Sequence, residues 1–225
     1  MSTILLLLVN VGSAFADDDD IYSLVLSDRL EYQSHGDTWV WDAEAWVGGD
    51  YHKVWLKTQG ENSNGQTEEA ELQLLYSRAV SPFFDLQLGV RHDFEPQPSR
   101  TFAVVGLQGL APQWIELDVA AFISEDGDFS ARLELEYDLL LTQRLTLQPR
   151  IEIGLAAQEV AEHLVGKGLT NTELGLRLRY EVRRKLAPYL GVTWRKSYGG
   201  TRNFIEAEGG RDETFSFVTG IRFWF

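Results

Sequence analysis

The run ARLELEYDLLLTQRLTLQPRIEI, residues 131–153, repeats one pattern almost without a break. Leu133, Leu135, Tyr137 and Leu139 alternate with Arg132, Glu134, Glu136 and Asp138. After Thr142-Gln143, Leu145, Leu147, Ile151 and Ile153 alternate with Thr146, Gln148, Arg150 and Glu152. A period of two is the signature of a β-strand, whose successive side chains point to opposite faces. Each of these strands therefore carries one apolar face and one charged face.

The same alternation runs outward from this hairpin. Ile115, Leu117 and Val119 alternate with Glu116 and Asp118, and Leu174, Leu176, Leu178 and Tyr180 alternate with Glu173, Arg177, Arg179 and Glu181. The pattern predicts twelve strands, over 22–33, 38–48, 51–60, 67–79, 83–94, 100–110, 113–124, 128–141, 143–157, 170–183, 186–197 and 213–225. At about 10 to 15 residues each they exceed the usual soluble strand and suit a tilted membrane crossing. Short turns are expected at Gly48-Gly49-Asp50, Ser81-Pro82, Ala111-Pro112, Thr142-Gln143 and Lys185. The other connections include 61–66, 95–99, 158–169 and 198–212, two of them long. Short periplasmic turns and longer external loops mark outer-membrane barrels. The fold class is thus all-β, a transmembrane antiparallel up-and-down β-barrel of the bacterial outer membrane, spanning 22–225.

Both ends of the chain agree with this reading. Residues 1–16, MSTILLLLVNVGSAFA, read as a signal peptide, with an apolar run from Ile4 to Val11 and Ala14-Phe15-Ala16 as its cleavage site. Residues 17–21 form an acidic N-terminal segment that opens on four aspartates. The last strand reads ETFSFVTGIRFWF, with Phe215, Phe217, Ile221, Phe223 and Phe225 on one face. Phe223 and Phe225 make an aromatic end of the kind that serves as an assembly signal for outer-membrane barrels.

Composition narrows the function. A chain of 225 residues with net charge −14 forms one domain and repels nucleic acid, while cations suit it as partners. There is no cysteine, so neither a disulfide framework nor a thiolate metal site. A mean hydropathy of −0.19 resembles that of a soluble protein. A lipocalin-like barrel or an immunoglobulin-like sandwich would show the same alternation with its apolar face inward. Against that, the strands are long, and twelve strands closed around leucine and valine would leave a cavity those side chains could not fill. Aromatics also gather near strand ends, at Trp39, Trp41, Trp114, Tyr180, Trp194, Tyr198 and Trp224, as in interfacial girdles.

Parity then lists the lumen. Its acids are Glu31, Asp42, Glu44, Glu69, Glu71, Asp85, Asp93, Glu116, Asp118, Glu134, Glu136, Asp138, Glu152, Glu173 and Glu181. Its bases are Arg29, Lys53, Lys57, Arg91, Arg132, Arg150, Arg177, Arg179, Arg195 and Arg222. A basic residue facing lipid at mid-bilayer would cost roughly 2–4 kcal/mol, so these side chains face water or each other. Two readings of the charges stand. They form a structural network that closes the barrel, or a cation pathway in which carboxylates two residues apart on one face, such as Asp42/Glu44 and Glu134/Glu136, concentrate cations.

The stretches WDAEAWVGGDYHKVWLKTQGE (41–61), TEEAELQLLYSRAVSPFFDLQLGVRHDF (67–94), QGLAPQWIELDVAAF (108–122), ARLELEYDLLLTQRLTLQPRIE (131–152) and ELGLRLRYEVRRKLAPYLGV (173–192), with the FWF end, resemble the copper resistance protein B family. The resemblance covers nearly the whole chain after about residue 21. It implies an outer-membrane barrel in a periplasmic copper-handling system, with copper ions, outer-membrane lipid and periplasmic copper proteins as partners. The family often carries a His- and Met-rich segment before the barrel; here Ala16 leads directly into four aspartates.

Donor chemistry limits what copper could meet. Cu(I) prefers thiolate and thioether, while Cu(II) accepts imidazole and carboxylate. After cleavage at Ala16 the chain has neither Cys nor Met. It offers carboxylates and four histidines without tight spacing, of which His35, His92 and His163 are the metal-ligand candidates; each also reads as a surface or rim side chain. Weak, carboxylate-based passage of a divalent ion through a monomeric barrel is expected, with no tightly bound cofactor. Three rivals remain: a generic small cation-preferring porin, a structural barrel, and a lipid-modifying enzyme. The enzyme would need a nucleophile and base together, and no motif joins Ser197, His92 and His163.

Overall fold

The computed structural model describes residues 20–225, so the expected signal peptide and Asp17–Asp19 lie outside the described residues. Twelve antiparallel strands follow in chain order: β1 (Tyr22–Gln33), β2 (Thr38–Gly48), β3 (His52–Ser63), β4 (Gln66–Ser81), β5 (Phe84–Glu95) and β6 (Arg100–Ala111). Then come β7 (Ile115–Ser124), β8 (Phe129–Tyr137, resuming at Leu139–Leu140 after Asp138), β9 (Leu145–Ala156), β10 (Gly168–Tyr180), β11 (Leu186–Ser197) and β12 (Glu213–Trp224). Each strand pairs with its neighbours in sequence, and β1 pairs with β12, from Leu26 opposite Trp224 to Gln33 opposite Val218. The seam extends to the last residue. The Phe225 N–H donates to the Val25 carbonyl at 2.9 Å, and the Val25 N–H to the Phe225 carbonyl at 3.1 Å. Closure of this kind leaves no unpaired edge, a condition for crossing a bilayer with strands.

The apolar face points outward. Leu74, Leu88, Val105, Leu176, Leu190, Phe215 and Phe217 are all exposed. The opposite face holds buried charges: Glu31 is 0% exposed and the Arg150 side chain 1%. Trp39, Trp114 and Tyr180 lie on the outer surface as the girdle requires. Trp224 does not: strand parity puts it beside Arg222, whose guanidinium carbon stands 6.0 Å from the indole. Phe223 and Phe225 flank it on the outer face, with their rings 6.0 Å apart.

Several connections differ from the sequence reading. The loop expected over 61–66 is a tight turn, because Asn64 (φ 52°) and Gly65 (φ 81°) both take left-handed backbone. That is the Asn-Gly hairpin geometry, which matches strand twist. As a result β3 continues through Glu61 to Ser63. Only 157–167 and 198–212 are long on that side of the barrel, and the second contains a helix, α1 (Gly199–Ala207), that the alternation did not foresee. The Gly166 N–H donates to Thr201 Oγ1 at 2.8 Å, tying the two long loops together.

Two glycines mark close approaches. A Cβ on Gly60 would fall 2.2 Å from Trp41, whose ring covers that glycine on the outer face. A Cβ on Gly220 would fall 2.4 Å from the Tyr189 ring, buried in the lumen wall. Gly220→Val should therefore force Tyr189 off its position and cost about 1–3 kcal/mol. Urea unfolding of the barrel in lipid vesicles checks this; an unchanged midpoint would show that the space is not needed.

Candidate functional site

A β-bulge shapes the lumen at its seam. Pairing of β1 with β2 slips between Ser27 and Arg29, and pairing with β12 between Ser27 and Leu30. One extra residue turns both Asp28 and Arg29 inward, which strict alternation forbids. Asp28 meets Arg222 Nε at 2.8 Å, and Arg29 Nη2 donates to Asp42 at 2.9 Å. Parity alone assigned Arg29 inward and missed Asp28. It also missed Glu61, hidden in the supposed loop, which accepts from Arg195 at 2.8 Å.

Arg150 is the centre of the charged network. It lies within 2.6 Å of Glu134, 3.0 Å of Glu136, 2.7 Å of Glu152 and 3.3 Å of Glu173. Glu173 is shared further, with Arg29 at 3.5 Å and Arg195 at 3.0 Å. Arg177 forks onto both oxygens of the fully buried Glu31, and Arg179 pairs with Asp138. Other pairs cross the lumen. Arg132 on β8 holds both oxygens of Glu71 on β4, at 3.1 and 3.0 Å, from four strands away around the wall. Lys57 on β3 reaches Asp118 on β7 at 2.7 Å, passing Gln87 at 3.3 Å and Gln108 at 3.1 Å. Charge-assisted pairs of this kind are geometrically specific, so they fix the walls relative to one another.

The lumen is not polar throughout. Trp55, Leu75, Phe102, Val104 and Phe122 form a buried apolar cluster on the β3–β7 wall, with Trp46 and Ala120 packed against it. Trp55 keeps its indole N–H satisfied by donating to Ser77 Oγ at 2.9 Å. Arg91 joins this cluster to the charges. Its guanidinium lies 5.1 Å from the Phe102 ring and 4.8 Å from the Phe122 ring while holding Glu71 at 2.8 Å and Asp93 at 2.6 Å. A planar, weakly hydrated guanidinium can serve aromatic faces and carboxylates at once.

Among the described residues the lumen holds a cavity of about 550 Å³, lined from β1 to β8 with Arg222 from β12. It reaches Pro82 and Phe83 of the β4–β5 turn, so it approaches the end of the short turns. Strands β9 to β11, whose arginines fill their own side of the lumen, contribute nothing to its lining. Nine carboxylates line it (Asp28, Asp42, Glu44, Glu71, Asp85, Glu116, Asp118, Glu134 and Glu136) against Lys57, Arg132 and Arg222.

Most of the expected pathway carboxylates are taken up in ion pairs. Asp42, Glu71, Asp118, Glu134, Glu136, Asp138, Glu152 and Glu173 each meet an arginine or lysine. Glu44, Glu69 and Glu116 meet none within 4.0 Å among the described residues. Glu44 and Glu116 face the cavity, and Glu69 is exposed near the opposite mouth.

The candidate histidines are not brought together. His35 sits in the β1–β2 turn. His92 is on the outer face of β5, against Thr101 Oγ1 at 3.0 Å and edge-on to Phe94. His163 lies in the β9–β10 loop, where burial and then Arg100 hold its imidazole below the ordinary range. Among the described residues no three His, Cys, Asp or Glu side chains are grouped to hold a metal ion. Ser197 lies on the lumen face of β11 and His92 on the outer face of β5, so these two form no nucleophile–base pair.

Comparison with known proteins adds the decisive observation: residues 21–225 match the family described as Copper resistance protein B precursor. The chain belongs to the copper resistance protein B family. A copper resistance protein B of Escherichia coli is 49% identical over 210 residues, which are 92% of this chain and 71% of that protein. A copper resistance protein B homolog of Pseudomonas syringae pv. tomato is 42% identical over the same shares. Among solved structures the barrel resembles the NanC porin, with TM-score 0.55 and 14% identity over 90% of this chain and 99% of that one. The KdgM porin in complex with disordered oligogalacturonate gives TM-score 0.50 and 8% identity over 91% and 99%. At such identities the porins share the fold alone. This member of the copper resistance protein B family is a porin-like barrel whose lumen is filled on one side and hollow on the other.

Removing Arg150 leaves Glu134 and Glu136 without an ion-pair partner among the described residues and takes one cation each from Glu152, which keeps Arg132, and Glu173, which keeps Arg29 and Arg195. Breaking a buried pair by deleting one partner costs about 3–5 kcal/mol. Arg150→Met should lose stability on that order in urea unfolding, and adding Glu173→Gln should restore part of it. Additive losses in the double variant would show that the two residues do not interact.

Proposed function

We propose that this protein is the outer-membrane component of a copper resistance system, and that its lumen binds or passes divalent copper. The observation that carries this reading is the pair Glu44 and Glu116, which face the cavity without an ion pair among the described residues while their neighbours are neutralised. Carboxylates in a low-dielectric cleft raise the local concentration of cations. The donors available there are oxygens, which accept Cu(II) and serve Cu(I) poorly. In this reading the carboxylates bind the ion weakly and exchange it readily, as a pathway requires. The barrel is non-catalytic in this reading. Its apolar outer face, closed seam and family support a position in the outer membrane, with the short turns toward the periplasm.

Proteoliposomes carrying the purified barrel and a copper-quenched fluorophore test the proposal. Copper influx should exceed that through protein-free vesicles, and Glu44→Gln with Glu116→Gln should lower it about tenfold, in line with the loss of two charges at the cavity. Sodium flux should fall less. Equal loss for both ions would identify a generic cation-preferring porin, and a submicromolar Cu(I) site in the mature barrel would sink the oxygen-ligand reading.

A further inference from the structure

A second hollow lies at the rim on the short-turn side, between the β8–β9 and β10–β11 turns; Glu181, which alternation alone assigned to the lumen, stands there one residue past the end of β10. The hollow has a volume of about 280 Å³ and is lined by Gln143, Arg144, Glu181, Val182, Arg183 and Arg184. Three arginines and one glutamate thus line the same hollow, and Lys185 follows at once in the chain. This is a local excess of positive charge on a protein of net charge −14. Among the described residues none of the three arginines meets a carboxylate within 4.0 Å. Surface cations near the opposite end do find partners, Lys196 with Glu213 and Arg202 with Glu206.

The backbone beneath the arginines is fixed. The Glu181 N–H donates to the Arg144 carbonyl at 2.8 Å and joins the two turns. Arg183 and Leu186 exchange N–H and carbonyl, at 3.3 and 3.0 Å, and present Arg184 and Lys185 at the tip of a tight turn. Thr142 Oγ1 accepts from the N–H groups of Arg144 and Leu145, at 3.2 and 3.0 Å, and holds the other turn. The guanidiniums are therefore presented from a preorganised rim.

Their height on the barrel selects the ligand. Val182 lines the hollow, and Leu141 and Tyr180 stand close to it along the chain at the ends of the two turns; all three are exposed. The apolar belt thus ends at the lip of the hollow, where hydrocarbon gives way to lipid head groups. A guanidinium fork matches two phosphate oxygens in geometry and charge. Basic clusters at a membrane interface attract anionic lipid in proportion to their number of cations.

We propose that this hollow binds the head group of an anionic phospholipid in the leaflet on the short-turn side. Arg144, Arg183 and Arg184 hold the phosphate, Glu181 accepts from a head-group hydroxyl, and the acyl chains lie against Leu141, Tyr180 and Val182. The inference rests on the membrane-spanning reading above and is independent of copper.

The test uses the full barrel reconstituted into vesicles of phosphatidylglycerol and phosphatidylcholine in equal parts, then extracted in mild detergent and weighed intact by native mass spectrometry. The wild type should retain phosphatidylglycerol over phosphatidylcholine. Arg144→Gln with Arg183→Gln and Arg184→Gln should cut that preference about tenfold, and Arg202→Gln at the far end should leave it unchanged. Should the triple variant lose the heat-modifiable mobility of a folded barrel, Arg183→Gln with Arg184→Gln removes only turn side chains and should still reduce retention. Equal retention of the two lipids, or full retention by a folded variant, overturns the site. So does release of the lipid by millimolar inorganic phosphate, which would mark a free-anion site. Failure of the wild type to insert into the vesicles overturns the proposed location and this site together.

Discussion

A closed sheet with lipid on its outside has only one place to put charge. Every strand must turn its polar side chains inward, and in so small a lumen those side chains meet. The Arg150 cluster is the outcome: one buried guanidinium within reach of four carboxylates drawn from β8, β9 and β10. Its partners pass the constraint on, since Glu173 also binds Arg29 on β1 and Arg195 on β11, and Arg195 binds Glu61 on β3. The seam at β1 is therefore held by charge inside as well as by backbone hydrogen bonds from Leu26 to Gln33.

The network is lopsided, and that asymmetry makes the cavity. Arginines on β9 to β11 fill their side, while glutamines, small residues and the Trp55–Phe122 cluster line the other and leave space. Arg91 stands at the boundary, with aromatic rings on one side and Glu71 and Asp93 on the other. Because neutralisation is local, the carboxylates left without an ion pair among the described residues, Glu44 and Glu116, stand on the hollow side, where nine carboxylates face only Lys57, Arg132 and Arg222. A count of charges along the chain averages over this difference.

The outer surface follows the same logic in reverse. Where the apolar belt ends, charge is allowed again, and the first cations beyond Leu141 and Val182 are arginines held on tight turns. Cations at that height are neither lumen residues nor ordinary loop residues.

The alternation of apolar and charged residues, a property of each strand alone, determined the strand count, which face points outward and nearly all the side chains that point inward. It failed where local geometry broke the period: at the Asp28–Arg29 bulge, at the Asn64-Gly65 turn that hid Glu61, and at Trp224, whose aromatic character suggested a girdle while its parity put it inside. The choice of partners was beyond its reach. That Lys57 neutralises Asp118 and Arg132 neutralises Glu71, each across four strands, depends on how the sheet closes and how far its strands stagger. Closure is a property of all twelve strands together, so only the tertiary structure could decide which carboxylates remain free to meet a cation.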